Sequence, residues 1–375
     1  MARAPAAQEI EAPPEADRLE GFPHPRETRA LLGHQRAEQM LAEAFAGGRM
    51  HHAWLLAGRA GIGKATLAYR LARHMLARPD ERDRSGKSLQ VPTDCAAARQ
   101  VAALSHPGLL VLRRPYDIRS KRLVGAIPVD EVRRLKSFLG LTSGENAWRV
   151  VIVDTADDLN LNAANALLKA LEEPPRRALF VLVASEPSGL LPTIRSRCRR
   201  LDLQPLAGPP LRQAAEAALA ATDVEPPSAD QWDQLERLAA GSVRRALQMA
   251  ATGGLELHQR IADIFAQLPK VDWPAAHALA DSLAAGAQEQ RFEGFFDLFL
   301  DTLARLARVR ATGQGSPDEL SLAARLIPEA RLPIWAALWE TIVRDKADAD
   351  ELNLDRKALI MRTLARLEPA SRAQP

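Results

Sequence analysis

Ala53-Trp54-Leu55-Leu56-Ala57-Gly58-Arg59-Ala60-Gly61-Ile62-Gly63-Lys64-Ala65 passes from five apolar residues into a glycine-rich turn that ends on a lysine. Leu67, Leu71 and Met75 then recur at helical spacing, so the order reads strand, loop, helix. Glycines in such a loop let backbone N–H groups approach phosphate oxygens, and the following helix turns its positive end toward them. Gly58, Gly61, Gly63 and Lys64 nearly satisfy the phosphate-loop pattern, with Lys64 placed to bridge terminal phosphates.

The eighth position departs from that pattern. Ala65 stands where a serine or threonine would coordinate magnesium, and Thr66 is one residue out of register. A methyl group offers no ligand oxygen, so metal-dependent nucleotide binding is expected to be weakened. A phosphate-loop fold that no longer binds nucleotide is the plainer alternative.

Working outward, Leu109–Leu112, Val150–Val153 and Leu179–Val183 are short continuous apolar runs, as expected for strands of a parallel sheet covered on both faces. Helices are predicted from Ala37, with Met40, Leu41, Ala44 and Phe45 on one side, and from about Asp130, which is a candidate cap. Ala164, Leu167, Leu168 and Leu171 form another, stopped by Pro174 and Pro175. The alternation gives a three-layer α/β domain over residues 21–203.

After Pro205-Leu206-Ala207-Gly208-Pro209-Pro210 the pattern turns helical, giving a small helical lid domain over 204–254. Residues 255–375 are read as a C-terminal helical bundle. Its stripes are Phe292, Phe295, Phe296, Phe299, Leu300 and Leu303; Trp335, Leu338, Trp339, Ile342 and Val343; and Leu359, Ile360, Leu364 and Leu367. Residues 1–20, with Pro5, Pro13 and Pro14 among alanines and acids, read as a flexible leader.

Composition limits what else the chain is. Its 375 residues allow two or three domains, and 47% hydrophobic with 26% charged residues is a folded composition. Fifty basic against forty-seven acidic residues leaves +3, so any basic surface is local. Two cysteines, Cys95 and Cys198, make neither a disulfide scaffold nor a four-cysteine zinc site. The leader has no signal-peptide pattern and no run approaches eighteen apolar residues, so the expected location is the cytoplasm, away from membranes.

Asp154, at the end of the Val150 strand, is a candidate magnesium anchor. Thr155 follows it where an ATPase of this type places an acid, and Asp157 and Asp158 are offset from that position. Arg197, in Ser196-Arg197-Cys198, is placed to project from one subunit toward another's nucleotide and stabilise charge in phosphoryl transfer; its plainer reading is a surface salt bridge. Arg244, opening a helix after Gly241-Ser242-Val243, is a candidate for reaching phosphate, with an ordinary exposed helix arginine as the alternative. Arg195, Arg197, Arg199 and Arg200 are dense in charge but lack the interleaved aromatic residues expected of a base-stacking DNA surface.

The passage Asn162-Ala-Ala-Asn-Ala-Leu-Leu-Lys169-Ala-Leu-Glu-Glu-Pro-Pro175, followed by Leu191-Pro-Thr-Ile-Arg-Ser-Arg197-Cys198, resembles the delta-prime family of bacterial DNA polymerase III clamp-loader subunits, members of the AAA+ class. His51–Leu55, Ser105-His106-Pro107 and Val129–Arg133 strengthen the resemblance, which spans roughly residues 22–375. It implies an AAA+ α/β module with a helical lid and an oligomerising all-helical collar. It also implies a non-motor stator beside gamma or tau motors and delta, acting with the sliding clamp and primer-template DNA. Arg197 is then the finger for a neighbour's ATP site, and Ser185 and Arg244 match sensor positions. ATP or ADP is the implied nucleotide; many relatives carry a four-cysteine zinc module where this chain has only Cys95, so zinc is not expected.

Two other readings stay open at this point. One is an autonomous DNA-dependent ATPase, favoured by Lys64 and Asp154 and opposed by Ala65 and Thr155. The other is an AAA+ assembly adaptor that never handles a clamp. No nucleotidyl-transfer site is apparent, so polymerase activity belongs to the holoenzyme.

Overall fold

The computed structural model describes residues 14–83, 85–120, 122–140, 147–285, 289–352 and 354–372. These divide into two compact units: the described residues up to Ser228 with Glu236–Leu247, and Ala229–Leu235 with the described residues from Gln248 onward.

The first unit is built on five parallel strands. They are β1 (Ala53–Ala57), β2 (Leu109–Leu112), β5 (Arg149–Asp154), β6 (Ala178–Ala184) and β7 (Arg199–Asp202), in the order β2-β5-β6-β1-β7. Between β2 and β5, Tyr116–Asp117 (β3) and Arg122–Leu123 (β4) make a separate antiparallel pair. The registers are unbroken: Ala53 to Ala57 lie opposite Phe180 to Ala184, and Val150 to Asp154 opposite Leu179 to Val183.

Successive side chains of a strand point to opposite faces, and here both faces are buried. Trp54, Leu56, Val150, Ile152, Leu179 and Val181 pack with Leu41 of α1 (Gln35–Ala46) and Leu67, Leu71 and Met75 of α2 (Lys64–Leu76). Leu55, Val151, Val153, Phe180 and Leu182 pack on the other side. Their partners there are α4 (Val129–Gly140), α5 (Leu161–Glu172) and α6 (Pro192–Arg197). The three layers expected from the strand–helix alternation are therefore present. Asp130 differs from its expected role: it lies inside the first turn of α4 rather than capping it, because the helix already starts at Val129.

Cys95 caps α3 (Ala96–Ala102), its Sγ accepting from the Ala98 amide at 3.4 Å. Helices α7 (Pro209–Leu219), α8 (Ala229–Ala239) and α9 (Val243–Thr252) follow β7. Because α8 and α9 each run through a boundary between the units, the division falls inside the 204–254 segment rather than at its ends.

The second unit is all helical from α10 (Gly254–Gln267) onward: α11 (Trp273–Ala284), α12 (Glu289–Thr312), α13 (Pro317–Leu326), α14 (Leu332–Leu352), α15 (Arg356–Ala365) and α16 (Leu367–Ser371). Phe265, Phe295, Phe296, Phe299 and Trp335 are fully buried at its centre. Three positions differ from the expected stripes. Leu298 is buried where Leu300 is half-buried, and Trp339 and Val343 are 38% and 37% exposed. Trp335, Leu338 and Ile342 already fill the inward line of α14, and at about 100° per residue Trp339 and Val343 fall on its flank.

Residues 14–20, read from the sequence as the end of a flexible leader, are held by charge. Glu15 pairs with Arg18, Arg26 and Arg113 at 3.1, 2.8 and 2.6 Å, and Asp17 pairs with Arg113 at 2.9 Å and lies 2.8 Å from His24 Nε2. Residues 1–13 lie outside the described residues. Among the described residues no helix is long and apolar enough to cross a membrane.

Candidate functional site

The phosphate loop leaves β1 at the carboxyl end of the sheet, where parallel α/β sheets bind ligands. Gly58 has φ +146°, and a Cβ there would lie 2.5 Å from the Leu203 carbonyl oxygen, so β1 can leave the sheet only through glycine. At Gly61 the space of a Cβ is taken by Ser242 and Arg244, and the Arg244 amide donates to the Gly61 carbonyl at 3.3 Å. The start of α9 therefore covers the loop. His34, caught by no sequence signal, donates from Nε2 to the Ile62 carbonyl at 2.6 Å; its burial pushes the imidazole pKa down, toward the neutral ring.

Lys64 is the first residue of α2 and is buried. Its ammonium donates to the carbonyls of Gly58 and Arg59 at 2.6 and 2.7 Å and to Ser185 Oγ at 3.1 Å. Burial lowers its pKa to about 8 against the pull of Asp154 and Asp157. Ser185 directly follows β6, and its amide donates to Asp157 Oδ2 at 2.5 Å; the Glu186 amide donates to Oδ1 at 3.2 Å. A 3-10 turn at Ala156–Asp158 thus brings Asp157 to the site despite its offset in the sequence, whereas Asp158 turns to Arg114 at 3.1 Å.

Asp154 closes β5 and is 4% exposed, with Oδ2 lacking a hydrogen-bond partner among the described residues. Burial, and next the charge of Asp17, push its pKa up to about 7, while Lys64, Arg113 and Arg244 oppose the rise. Asp17 is held down at about 2; burial opposes that shift, and His24 and Arg113 outweigh it. A buried carboxyl and a buried ammonium thus share this end of the sheet with a second, firmly ionised carboxylate. Sequence reasoning missed Asp17 because Asp17 and His24 carry no motif and Arg113, its other partner, lies 96 residues away in the chain.

A cavity of about 800 Å³ gathers Gly61, Gly63, Lys64, Ala65, Thr66, Asp154, Ser185 and Arg244, all singled out from the sequence, together with Asp17 and Asp157. Gly58 is not among the residues that line it. Arg244 places its guanidinium 3.4 Å from the carbonyls of Asp17 and Arg18, so it reaches the N-terminal segment.

The residues fit the two parts of an implied magnesium nucleotide differently. At Gly63, with φ +106°, a Cβ would meet only the His34 ring at 3.4 Å, so phosphate has room to approach the loop backbone. Magnesium fits poorly, since the Ala65 side chain lining the cavity is a methyl group and Asp154 is driven toward its neutral form.

Arg197 lies elsewhere. β7 starts level with Trp54 and ends level with Ala57, so Arg199 is about 10 Å from the loop end of the sheet at ~3.3 Å per residue. Arg197 precedes it, at the end of α6, and cannot serve this chain's own loop. Its guanidinium pairs with Glu172 at 2.8 Å and donates to the Thr193 carbonyl at 3.1 Å, with the side chain 35% exposed. Of its basic neighbours, Arg199 stacks over Trp54 at 4.9 Å and Arg200 pairs with Asp202 at 2.7 Å. Cys198 is buried, which pushes its thiol up to about 12.

A family model described as DNA polymerase III, delta subunit, matches residues 33–207. The chain is 34% identical over 268 residues to the DNA polymerase III subunit delta' of Pseudomonas aeruginosa, covering 71% of this chain and 76% of that protein. It is 30% identical over 268 residues to the subunit delta' of Escherichia coli, covering 71% and 74%. A solved gamma subunit-related protein of Thermotoga maritima aligns with 89% of this chain and all of its own, at 19% identity and a TM-score of 0.42, too distant to add to the argument.

Proposed function

Because the chain belongs to the DNA polymerase III delta-prime family, we propose that it is a non-motor stator of the clamp loader. In that role it supports ATP-dependent loading of the sliding clamp onto primer-template DNA, beside gamma or tau and delta subunits. It lends Arg197 to a neighbour's ATP site, and performs little hydrolysis itself.

The observation that carries this reading is the separation of the two halves of ATPase chemistry. Lys64 spends its three N–H donors on Gly58, Arg59 and Ser185, beside an alanine where a magnesium ligand belongs. Arg197 stands half-exposed past the opposite end of β7. Its bond to Glu172 is a surface pair worth about 0–1 kcal/mol, easily exchanged for a neighbour's phosphate oxygens. A guanidinium entering there neutralises charge that builds on the transferring phosphoryl group.

ATP or ADP in this chain's own cavity belongs to the same proposal. The backbone of the loop and Lys64 would hold the phosphates once Lys64 releases its carbonyls, and Ser185 and Arg244 would meet the terminal phosphate. Bound nucleotide would then act as a structural element between the loop and α9, with no chemistry of its own.

The test is a reconstituted clamp-loading assay with and without this chain, together with Arg197→Ala in the complete assembly. Loading should require the chain, and the variant should assemble yet turn over ATP at least ~10-fold more slowly. Unchanged turnover in an intact assembly rules out the finger role. Sustained hydrolysis by the isolated chain, abolished by Lys64→Ala, rules out the stator.

A further inference from the structure

A second cavity in the same unit, about 600 Å³, is lined by five arginines: Arg26, Arg29, Arg70, Arg73 and Arg99. Two are neutralised in place, Arg26 by Glu15 at 2.8 Å and Arg70 by Glu38 at 2.8 Å. Glu27, the acid in the lining, is engaged by Arg18 at 2.6 Å and by Arg26 at 3.7 Å. Arg29, Arg73 and Arg99 have no carboxylate within ion-pair distance among the described residues.

Arg73 is the anomaly. It is 7% exposed, and among the described residues its guanidinium donates only to the backbone carbonyls of Arg26 and Thr28, at 2.9 and 3.0 Å. A buried cation without an anion is costly unless something supplies the missing charge. Burial already drags its pKa down to about 10, and neighbouring Arg70 adds to the drag. Arg99, exposed at the rim, donates to the Asp94 carbonyl at 2.6 Å, and Arg29 is also exposed there.

We propose that this cavity binds a small free anion carrying two or more phosphate groups, with Arg73 at its floor and Arg29 and Arg99 at its rim. Guanidinium forks match phosphate oxygens, and three uncompensated cations call for more charge than one carboxylate carries. The volume suits a ligand of nucleotide size or smaller, and Leu31, Leu89, Val91 and Ala98 give it a partly apolar wall. The site is separate from the phosphate loop: Arg73 is nine residues beyond Lys64 on α2, about 14 Å along the axis at ~1.5 Å per residue. The two cavities nevertheless share the wall at Glu27, Arg29, Ala30 and Leu31.

The test is calorimetric titration of the full chain with pyrophosphate, in a Lys64→Ala background that removes the loop's own phosphate contact. Saturable binding is expected, weakened roughly tenfold or more by Arg29→Ala with Arg99→Ala, two exposed positions whose loss leaves the core intact. Arg73→Gln should weaken it further if that variant folds; the rim pair decides the matter if it does not. Absence of saturable binding overturns the proposal, as does binding indifferent to the rim pair. A single-stranded oligonucleotide that displaces pyrophosphate and binds more tightly overturns the free-anion reading in favour of strand phosphates.

Discussion

The ammonium of Lys64 lies 3.1 Å from the hydroxyl of Ser185, joining the first residue of α2 to the residue just beyond β6. In a working phosphate loop both groups would face a terminal phosphate. Here each satisfies the other, and the remaining donors of Lys64 close on the loop's own carbonyls. The same self-satisfaction holds for Arg244, turned to the carbonyls of Asp17 and Arg18.

If the chain contributes no hydrolysis, Lys64→Ala in the reconstituted loader should leave steady-state ATP turnover within about twofold of wild type. The equivalent change in a motor subunit should abolish that motor's share. A drop beyond about tenfold from Lys64→Ala in this chain would place a working ATP site here.

Glu172 restrains Arg197 without supporting the fold. Both side chains are substantially exposed, at 35% and 48%, so Glu172→Gln should change unfolding free energy by less than about 1 kcal/mol. If Arg197 is the finger, turnover of the assembled loader should be unchanged or raised, because its guanidinium is released. A loss comparable to that of Arg197→Ala would make Glu172 a positioning residue. Chemical denaturation and ATPase measurements on the same preparations separate the cases.

Asp154 should give stability an unusual pH dependence. Its folded pKa, about 7, lies above the ordinary 3.8, so between those values the folded chain holds a proton that the unfolded chain has released. Its contribution to stability is complete below about pH 4 and is lost as pH rises through about 7. Asp154→Asn removes that slope. The variant should match wild type near pH 4 and exceed it near pH 8 by on the order of a few kcal/mol, read by urea unfolding at both values. Equal stabilities at pH 8 would show that Lys64, Arg113 and Arg244 keep the carboxylate charged.

Gly58 and Gly63 should respond differently to alanine. At Gly58 the added Cβ meets the backbone oxygen of Leu203 at 2.5 Å, which no side-chain rotation relieves, so Gly58→Ala should cost upward of about 2 kcal/mol. At Gly63 the nearest atoms are His34 ring atoms at 3.4 Å, leaving chiefly the backbone strain of φ +106°, about 1 kcal/mol. Thermal unfolding of the two variants should rank them in that order.

Much of this was legible in the sequence because its signals are local. The strands β1, β2 and β6 and the Val150–Val153 centre of β5 are uninterrupted apolar runs, and glycines mark the loop where φ is positive. The sheet order then gathers Lys64, Asp154 and Ser185 from separate strand ends, which no short window of sequence displays. The misses have the same origin. Asp17, His24 and Arg113 carry no motif and gain their roles through pairing across the fold, and Trp339 satisfies helical spacing although the inward line of α14 was already filled.

Arg113 ties the N-terminal segment to the carboxyl end of the sheet, and its removal should expose how much of the site depends on that tie. It pairs with Glu15 and Asp17 at once, at 2.6 and 2.9 Å, and the Asp17 side chain is only 5% exposed. Arg113→Ala leaves a buried carboxylate with His24 alone, so it should cost about 3 kcal/mol or more at neutral pH. Glu15 and Asp17 both have folded pKa values held down to about 2, so their contribution is present above the ordinary carboxylate range and is lost as pH falls through about 2. The deficit of the variant should therefore shrink as unfolding is measured at progressively lower pH. Limited proteolysis gives the second readout: cleavage after Arg18 or Arg26 should accelerate in the variant and not in wild type. A deficit below about 1 kcal/mol with unchanged cleavage would mean that Arg18 and Arg26 suffice to hold the segment.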